Sequence, residues 1–246
     1  MWNKPERLNA AANALYAIAA LLALIGLAGM TMQLPVFALR EVRFGGDLGH
    51  LTRGQLEAVV RRGLKGNFFT LDLAETRTLF EKLQWVRGVN LRRHWPDRLD
   101  VTLEEHVPLA RWANKALVNT HGEIFEAAYG GRLPVFIGPP GTAKEIAIQY
   151  RYFHRSLAAI GQAPVQVHVS PRRAWRLKLE GGLTLELGRE NIEARLDRFV
   201  AVYGRALDRL GRRIDHADLR YTNGFAVRVP ALRRDKAKPK RGRSAA

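Results

Sequence analysis

The chain has 246 residues, enough for one or two domains whose core needs neither disulfide nor metal. It has no cysteine, which excludes a disulfide framework and thiolate metal sites but fits the cytoplasm and a bacterial periplasm equally. A formal charge of +17 and a pI near 10.9 admit nucleic acid, an anionic membrane face or an acidic polymer as partners.

The 32 residues between Arg7 and Arg40 carry no charged side chain. As a helix, residues 10–34 are long enough to cross a hydrocarbon core of about 30 Å, with Ala10, Leu22 and Met32 among the membrane-spanning residues. A cleaved signal peptide competes with this reading, since Lys4 and Arg7 form a basic start and "GLA" precedes Gly29. Apolar residues continue past that point, however, and a signal core runs only about 7 to 15 residues. Lys4 and Arg7 on one side face Arg40, Arg43 and Arg53 on the other, so charge alone does not set the orientation.

After the span, "FALREVRF" alternates at Val42 and Phe44 as a strand with one buried face. Thr52 and Gln55 form a T-x-x-Q capping pair, Leu51 and Leu56 are placed as a hydrophobic staple, and Val59, Val60 and Leu64 keep helical spacing. The same device is expected at Asp72 and Glu75, opening a helix that ends near Gln84. Val89 and Leu91 then alternate, "RHWPDR" supplies a turn, and Leu99, Val101 and Leu103 alternate again. The order is strand, helix, helix, strand, strand.

That order after a single span resembles a POTRA domain. "FALREVRFGG", "NFFTLDL", "WVRGVNLRRHWPDRLDVTLEEHVPLARW" and "LVNTHGEIF" resemble the FtsQ/DivIB family of bacterial cell-division proteins, whose members carry a comparable W-P-x-x-L-x-V-x-x-x-E-x-x-P-x-A-x-W run here. The likeness extends over essentially the whole chain.

In the second half, "ALVN" and "EIF" bracket a His121-Gly122 turn, "LPVFI" is a short buried strand, and Ile146 to Ile160 mark a helix. Val165, Val167 and Val169 alternate, as do Trp175 to Leu179 and, after Gly181-Gly182, Leu183 to Leu187, which predicts a hairpin-built sheet. A long helix is expected from Ile192 to Leu210. Asn223-Gly224 is the dipeptide of a tight hairpin needing positive φ at both positions. Pro230 stops the last strand, expected over 225–229, and at a sheet edge its backbone would be open to another chain.

The fold class is therefore α+β: one membrane helix, a βααββ domain, and a mixed domain with two helices. The expected boundaries are a short cytoplasmic tail at 1–9, the span at 10–34, the POTRA domain at 37–105, the FtsQ-type β domain at 106–230 and a basic tail at 231–246. From Arg233 onward that tail holds seven basic side chains against Asp235 alone, a net +6 that leaves +11 for the other 232 residues. It serves either solubility or contact with anionic lipid or wall polymer.

"VFIGPPGTAKEIA" mimics a phosphate-binding loop, but Ala143 stands at the second glycine of GxxxxGK[ST] and Glu145 at the hydroxyl that would hold Mg²⁺. It reads as a turn between strand and helix. The three serines lie in no G-x-S-x-G elbow and the seven histidines form no H-E-x-x-H, although His94 and His106 could meet on neighbouring strands and His216 shares a strand face with Asp218. No catalytic residue, cofactor, metal, nucleic acid or small-molecule substrate is expected.

The resemblance implies recognition instead. It implies an inner-membrane protein, N-terminus cytoplasmic and bulk periplasmic, that binds the small division proteins FtsB and FtsL and helps localise and regulate septal peptidoglycan synthesis. The positions matching the family's binding motifs are Arg172 in "PRRAW" and Arg220, Tyr221, Gly224, Phe225, Ala226 and Val227 in "DLRYTNGFAV"; Val229 stands where members often carry Trp. The arginines would pair with an acid on the partner, and Tyr221 would offer it an aromatic platform. Read without the resemblance, Arg172 and Arg173 are solvated charges and Tyr221 packs in its own sheet as readily as it binds. A POTRA-bearing export or assembly factor is the competing function.

Overall fold

The computed structural model describes residues 5–32, 37–113, 115–203 and 214–229. Helix α1, Pro5–Met32, opens with proline in its first turn, where the missing N–H costs nothing. Its apolar stretch Asn9–Thr31 spans about 35 Å at 1.5 Å per residue, and none of it is covered by protein. Leu15, Leu22 and Met30 all lie exposed. An apolar helix that the chain leaves bare is consistent with a single-pass membrane anchor. The chain divides into two compact units between His106 and Val107, with α1 falling in the first.

In the first unit, β1 (Glu41–Gly45), α2 (Arg53–Gly63), α3 (Leu73–Glu81), β2 (Val86–His94) and β3 (Arg98–Glu105) follow the expected order. The sheet order is β1-β3-β2, with β1 parallel to β3 because two helices carry the chain back between them. Leu99, Val101 and Leu103 point to one face and pack with Leu56, Leu71, Phe80 and Leu91. The Thr52–Gln55 capping box is complete, with both partners satisfying an otherwise orphaned amide. At α3 only half of the expected device forms: Asp72 accepts from the amides of Ala74 and Glu75. That helix also stops at Glu81, three residues short of the expected end, because Leu83 N–H turns back to the Phe80 carbonyl and sends the chain into β2. His94 and His106 do not meet. His94 pairs with Arg98 at the turn end of β2–β3 and His106 follows β3 at the other end.

Among its described residues the second unit holds one nine-stranded sheet in the order β12-β11-β10-β9-β8-β7-β4-β5-β6. Its strands are β4 (Pro108–Trp112), β5 (Ala116–Asn119), β6 (Ile124–Phe125), β7 (Val135–Ile137), β8 (Pro164–Val169), β9 (Trp175–Leu179), β10 (Thr184–Gly188), β11 (His216–Asp218) and β12 (Ala226–Arg228). Helices α4 (Ala143–Ala158) and α5 (Ile192–Val202) make the crossovers, so β7 runs parallel to β8 and β10 parallel to β11. The sheet is thus mixed, with hairpins only where no helix intervenes. Phe136, Phe153, Leu177, Leu185 and Phe199 are fully buried between sheet and helices. The part of the expected long helix from residue 204 to Leu210 falls outside the described residues, as does the expected basic tail.

Candidate partner-binding edge

Two sequence features converge at one end of the second unit. Strand β12 pairs with β11 in antiparallel register, Asp218 opposite Ala226, Ala217 opposite Val227 and His216 opposite Arg228. On its other side no strand of this chain stands among the described residues, so a row of backbone donors and acceptors faces outward. Ala226, Val227 and Arg228 all have exposed side chains.

The connection between β11 and β12 differs from the sequence expectation. It is seven residues long, 219–225, and neither Asn223 nor Gly224 takes positive φ. The loop is instead held by distant side chains. Arg198 on α5 donates to the Thr222 carbonyl at 2.6 Å and to the Tyr221 carbonyl at 3.4 Å. Phe225 turns inward, its ring 5.5 Å from that of Phe199 in an edge-to-face contact. Phe225 therefore anchors the loop to the core, while Tyr221 is 58% exposed and presents its ring outward. Gly224 is half-buried between them.

Arg172 and Arg220 lie 48 positions apart in sequence yet line one pocket of about 420 Å³, together with Ala174, Gly188, Arg189, Glu190 and Arg195. The pocket exists because the turn before β9, the end of β10 and the end of β11 come together at one end of neighbouring strands. Four guanidinium groups against one carboxylate make it basic. Arg195 is aimed by donating to the Leu187 carbonyl at 2.6 Å. Gly188, at φ +80°, leaves the room: a Cβ there would sit 2.7 Å from Arg195 Nη1 and 3.2 Å from Arg220 Cγ.

The two predicted arginines are not equivalent. Arg220 donates from Nε to Asp218 Oδ1 at 2.8 Å and from Nη2 to Oδ2 at 2.6 Å, a two-pronged pair. The side-chain hydrogen bond with Asp218 raises the Arg220 pKa, and its counterpart from Arg220 holds the Asp218 carboxyl below its ordinary value. An incoming acid at Arg220 would have to share that guanidinium with Asp218. Arg173 is engaged by Glu145, whereas the described ion pairs do not include Arg172. Arg172 is thus the arginine better disposed to meet an external carboxylate.

Sequence reasoning missed Arg195, Arg198 and Gly188. Arg195 and Arg198 show only as basic residues on the polar side of α5, and nothing local distinguishes them from solvated charges. The glycine turn of "GPPGTAK" has no such convergence. It joins β7 to α4, Thr142 Oγ1 donates to the Pro139 carbonyl at 2.7 Å, and the Lys144 backbone packs against Gly122.

Residues 37–106 match the model of the POTRA domain, FtsQ-type, and residues 110–220 that of the cell division protein FtsQ/DivIB, C-terminal. Among curated relatives, Cell division protein FtsQ of Burkholderia pseudomallei is 46% identical over 242 residues, covering 95% of this chain and 96% of that protein. Cell division protein FtsQ of Nitrosospira multiformis is 44% identical over 233 residues, covering 93% and 99%. The Neisseria gonorrhoeae protein of the same name is 32% identical over 232 residues, covering 93% and 95%. The match runs through both folded units at nearly the full length of each relative, and the chain belongs to the FtsQ/DivIB family, non-enzymatic proteins of bacterial cell division.

Proposed function

We propose that this protein is a single-pass inner-membrane component of the division machinery, N-terminus cytoplasmic and both folded units periplasmic, that binds FtsB and FtsL at the septum and so helps localise and regulate peptidoglycan synthesis. The edge position of β12 carries the reading. A segment of the partner adds there as a further strand, so that backbone hydrogen bonds supply affinity and flanking side chains supply choice. Arg172 receives an acidic side chain of the partner, Tyr221 an apolar one, and the Phe225 and Arg198 anchors hold the β11–β12 loop in place before the partner arrives.

Because the native chain has no cysteine, a single Val227→Cys gives one reactive thiol, to be oxidised against single cysteines walked along FtsB. Strand addition predicts cross-linking that peaks at alternate partner positions, the period of a β-strand. Cross-linking with a period near 3.6, or none, refutes it. A reporter enzyme fused after Ala246 that is active only in the cytoplasm refutes the orientation.

A further inference from the structure

The end of the βααββ unit at which the chain enters from α1 collects aromatic side chains that its core does not use. Trp95, at the turn between β2 and β3, is 75% exposed, whereas Trp85, Trp112 and Trp175 are at least half-buried. Its turn is tied to the entry of the domain: the Asp97 carbonyl accepts from the Arg40 amide at 2.9 Å, and β1 begins with Glu41 opposite Arg98. At the same end of the sheet the α2–α3 loop brings Phe69, 41% exposed, against Phe37 at 5.0 Å and Phe68 at 5.3 Å between ring centroids. Phe68 N–H is bonded to the Phe37 carbonyl at 2.9 Å, and Arg93 donates to the Leu71 carbonyl, so both loops lie at the same end of the sheet. The Arg40 side chain is 72% exposed.

Chain length decides what this end meets. Only five peptide steps separate Met32, the last residue of α1, from Phe37, a reach of at most about 18 Å whatever their conformation. The β1 start, and with it the Trp95 turn hydrogen-bonded to it, is therefore confined close to the bilayer surface if α1 spans the membrane. Tryptophan placed at that level sits in the layer where its apolar ring and polar N–H are both accommodated, and a flanking arginine stem extends toward phosphates.

We propose that Trp95, Phe69 and Arg40 seat this end of the βααββ unit in the headgroup layer of the membrane that α1 crosses, fixing the tilt of the unit on the bilayer. The inference rests on the reading of α1 as a span. It is tested with the full chain in nanodiscs of equal parts phosphatidylethanolamine and phosphatidylglycerol, with acyl chains brominated near the headgroup. The difference in tryptophan emission between the native chain and Trp95→Phe isolates the Trp95 contribution, and Trp95 is too exposed for that change to disturb the core. Quenching of the Trp95 component by bromine, with loss of its quenching by aqueous iodide relative to detergent, is the expected result. A chain that enters the nanodisc while Trp95 stays open to iodide and untouched by bromine overturns this inference alone. A chain that does not enter overturns the span and the inference together.

Discussion

Tyr221→Ala isolates the contribution of one exposed ring. An aromatic side chain buries roughly 150–250 Å² when covered, and with 58% of Tyr221 in water about 100–130 Å² remains for a partner to cover. At ~25 cal/mol per Å² that covering is worth about 2–3 kcal/mol once the polar hydroxyl is discounted. Truncation should therefore weaken binding by roughly 30- to 150-fold, in the range of an interface hot spot. The fold should be indifferent, because the interactions that hold the loop run through the Tyr221 and Thr222 carbonyls and the Phe225 ring, all of which survive the change. The assay is calorimetric titration of a soluble FtsB segment into the full chain in nanodiscs, with thermal unfolding as the control. Tyr221→Phe keeps the ring and should keep most of the affinity. Undiminished binding by Tyr221→Ala, with its unfolding unchanged, would refute the assignment of this ring to the interface.

Two further changes probe the pocket and the first unit. Gly188→Ala forces a side chain into left-handed backbone beside Arg195 and Arg220 and should cost about 1–2 kcal/mol in urea unfolding, together with a loss of partner affinity; native values for both would mean that the pocket tolerates filling. For Glu105, burial by itself would raise the carboxyl pKa, but the amides of Leu51, His50 and Gly49 and the His50 ring donate to it and hold it below the ordinary glutamate value. A depressed carboxyl stabilises the fold above its unfolded pKa and loses that contribution as pH falls through the folded one. Acid titration followed by circular dichroism should show this loss in the native chain, and Glu105→Gln should be less stable at neutral pH with a flatter acid limb; superimposable curves would exclude a contribution of Glu105 to stability.

Local signals carried the first unit almost to completion. The Thr52–Gln55 box, the staple at Leu51 and Leu56 and the alternation of Leu99, Val101 and Leu103 each depend on residues within a turn or a strand of one another, and each is present as written. The misreadings arose where a distant contact outweighs the local preference. Asn223-Gly224 carries the composition of a tight hairpin, yet Arg198 and Phe199 on α5 hold the loop in a wider form. The pairing of Arg220 with Asp218 was open to inspection, two residues apart, but only the end of β11 turns both side chains to the same side.

The amino-acid order by itself determined the apolar helix, because compatibility with a bilayer is a property of uninterrupted composition over some twenty residues. It likewise determined the βααββ order, through caps, periods and breakers that act over a few residues, whereas the last strand, expected over 225–229, is confined to Ala226–Arg228 because Phe225 turns into the core. Only the tertiary structure decided that β12 stands outermost of the nine strands among the described residues, and that Arg172, Gly188, Arg195 and Arg220 close around one basic pocket. Strand order and pocket walls are set by pairings across tens of residues, where the free energy lies in the burial of whole faces and leaves no mark on the local sequence.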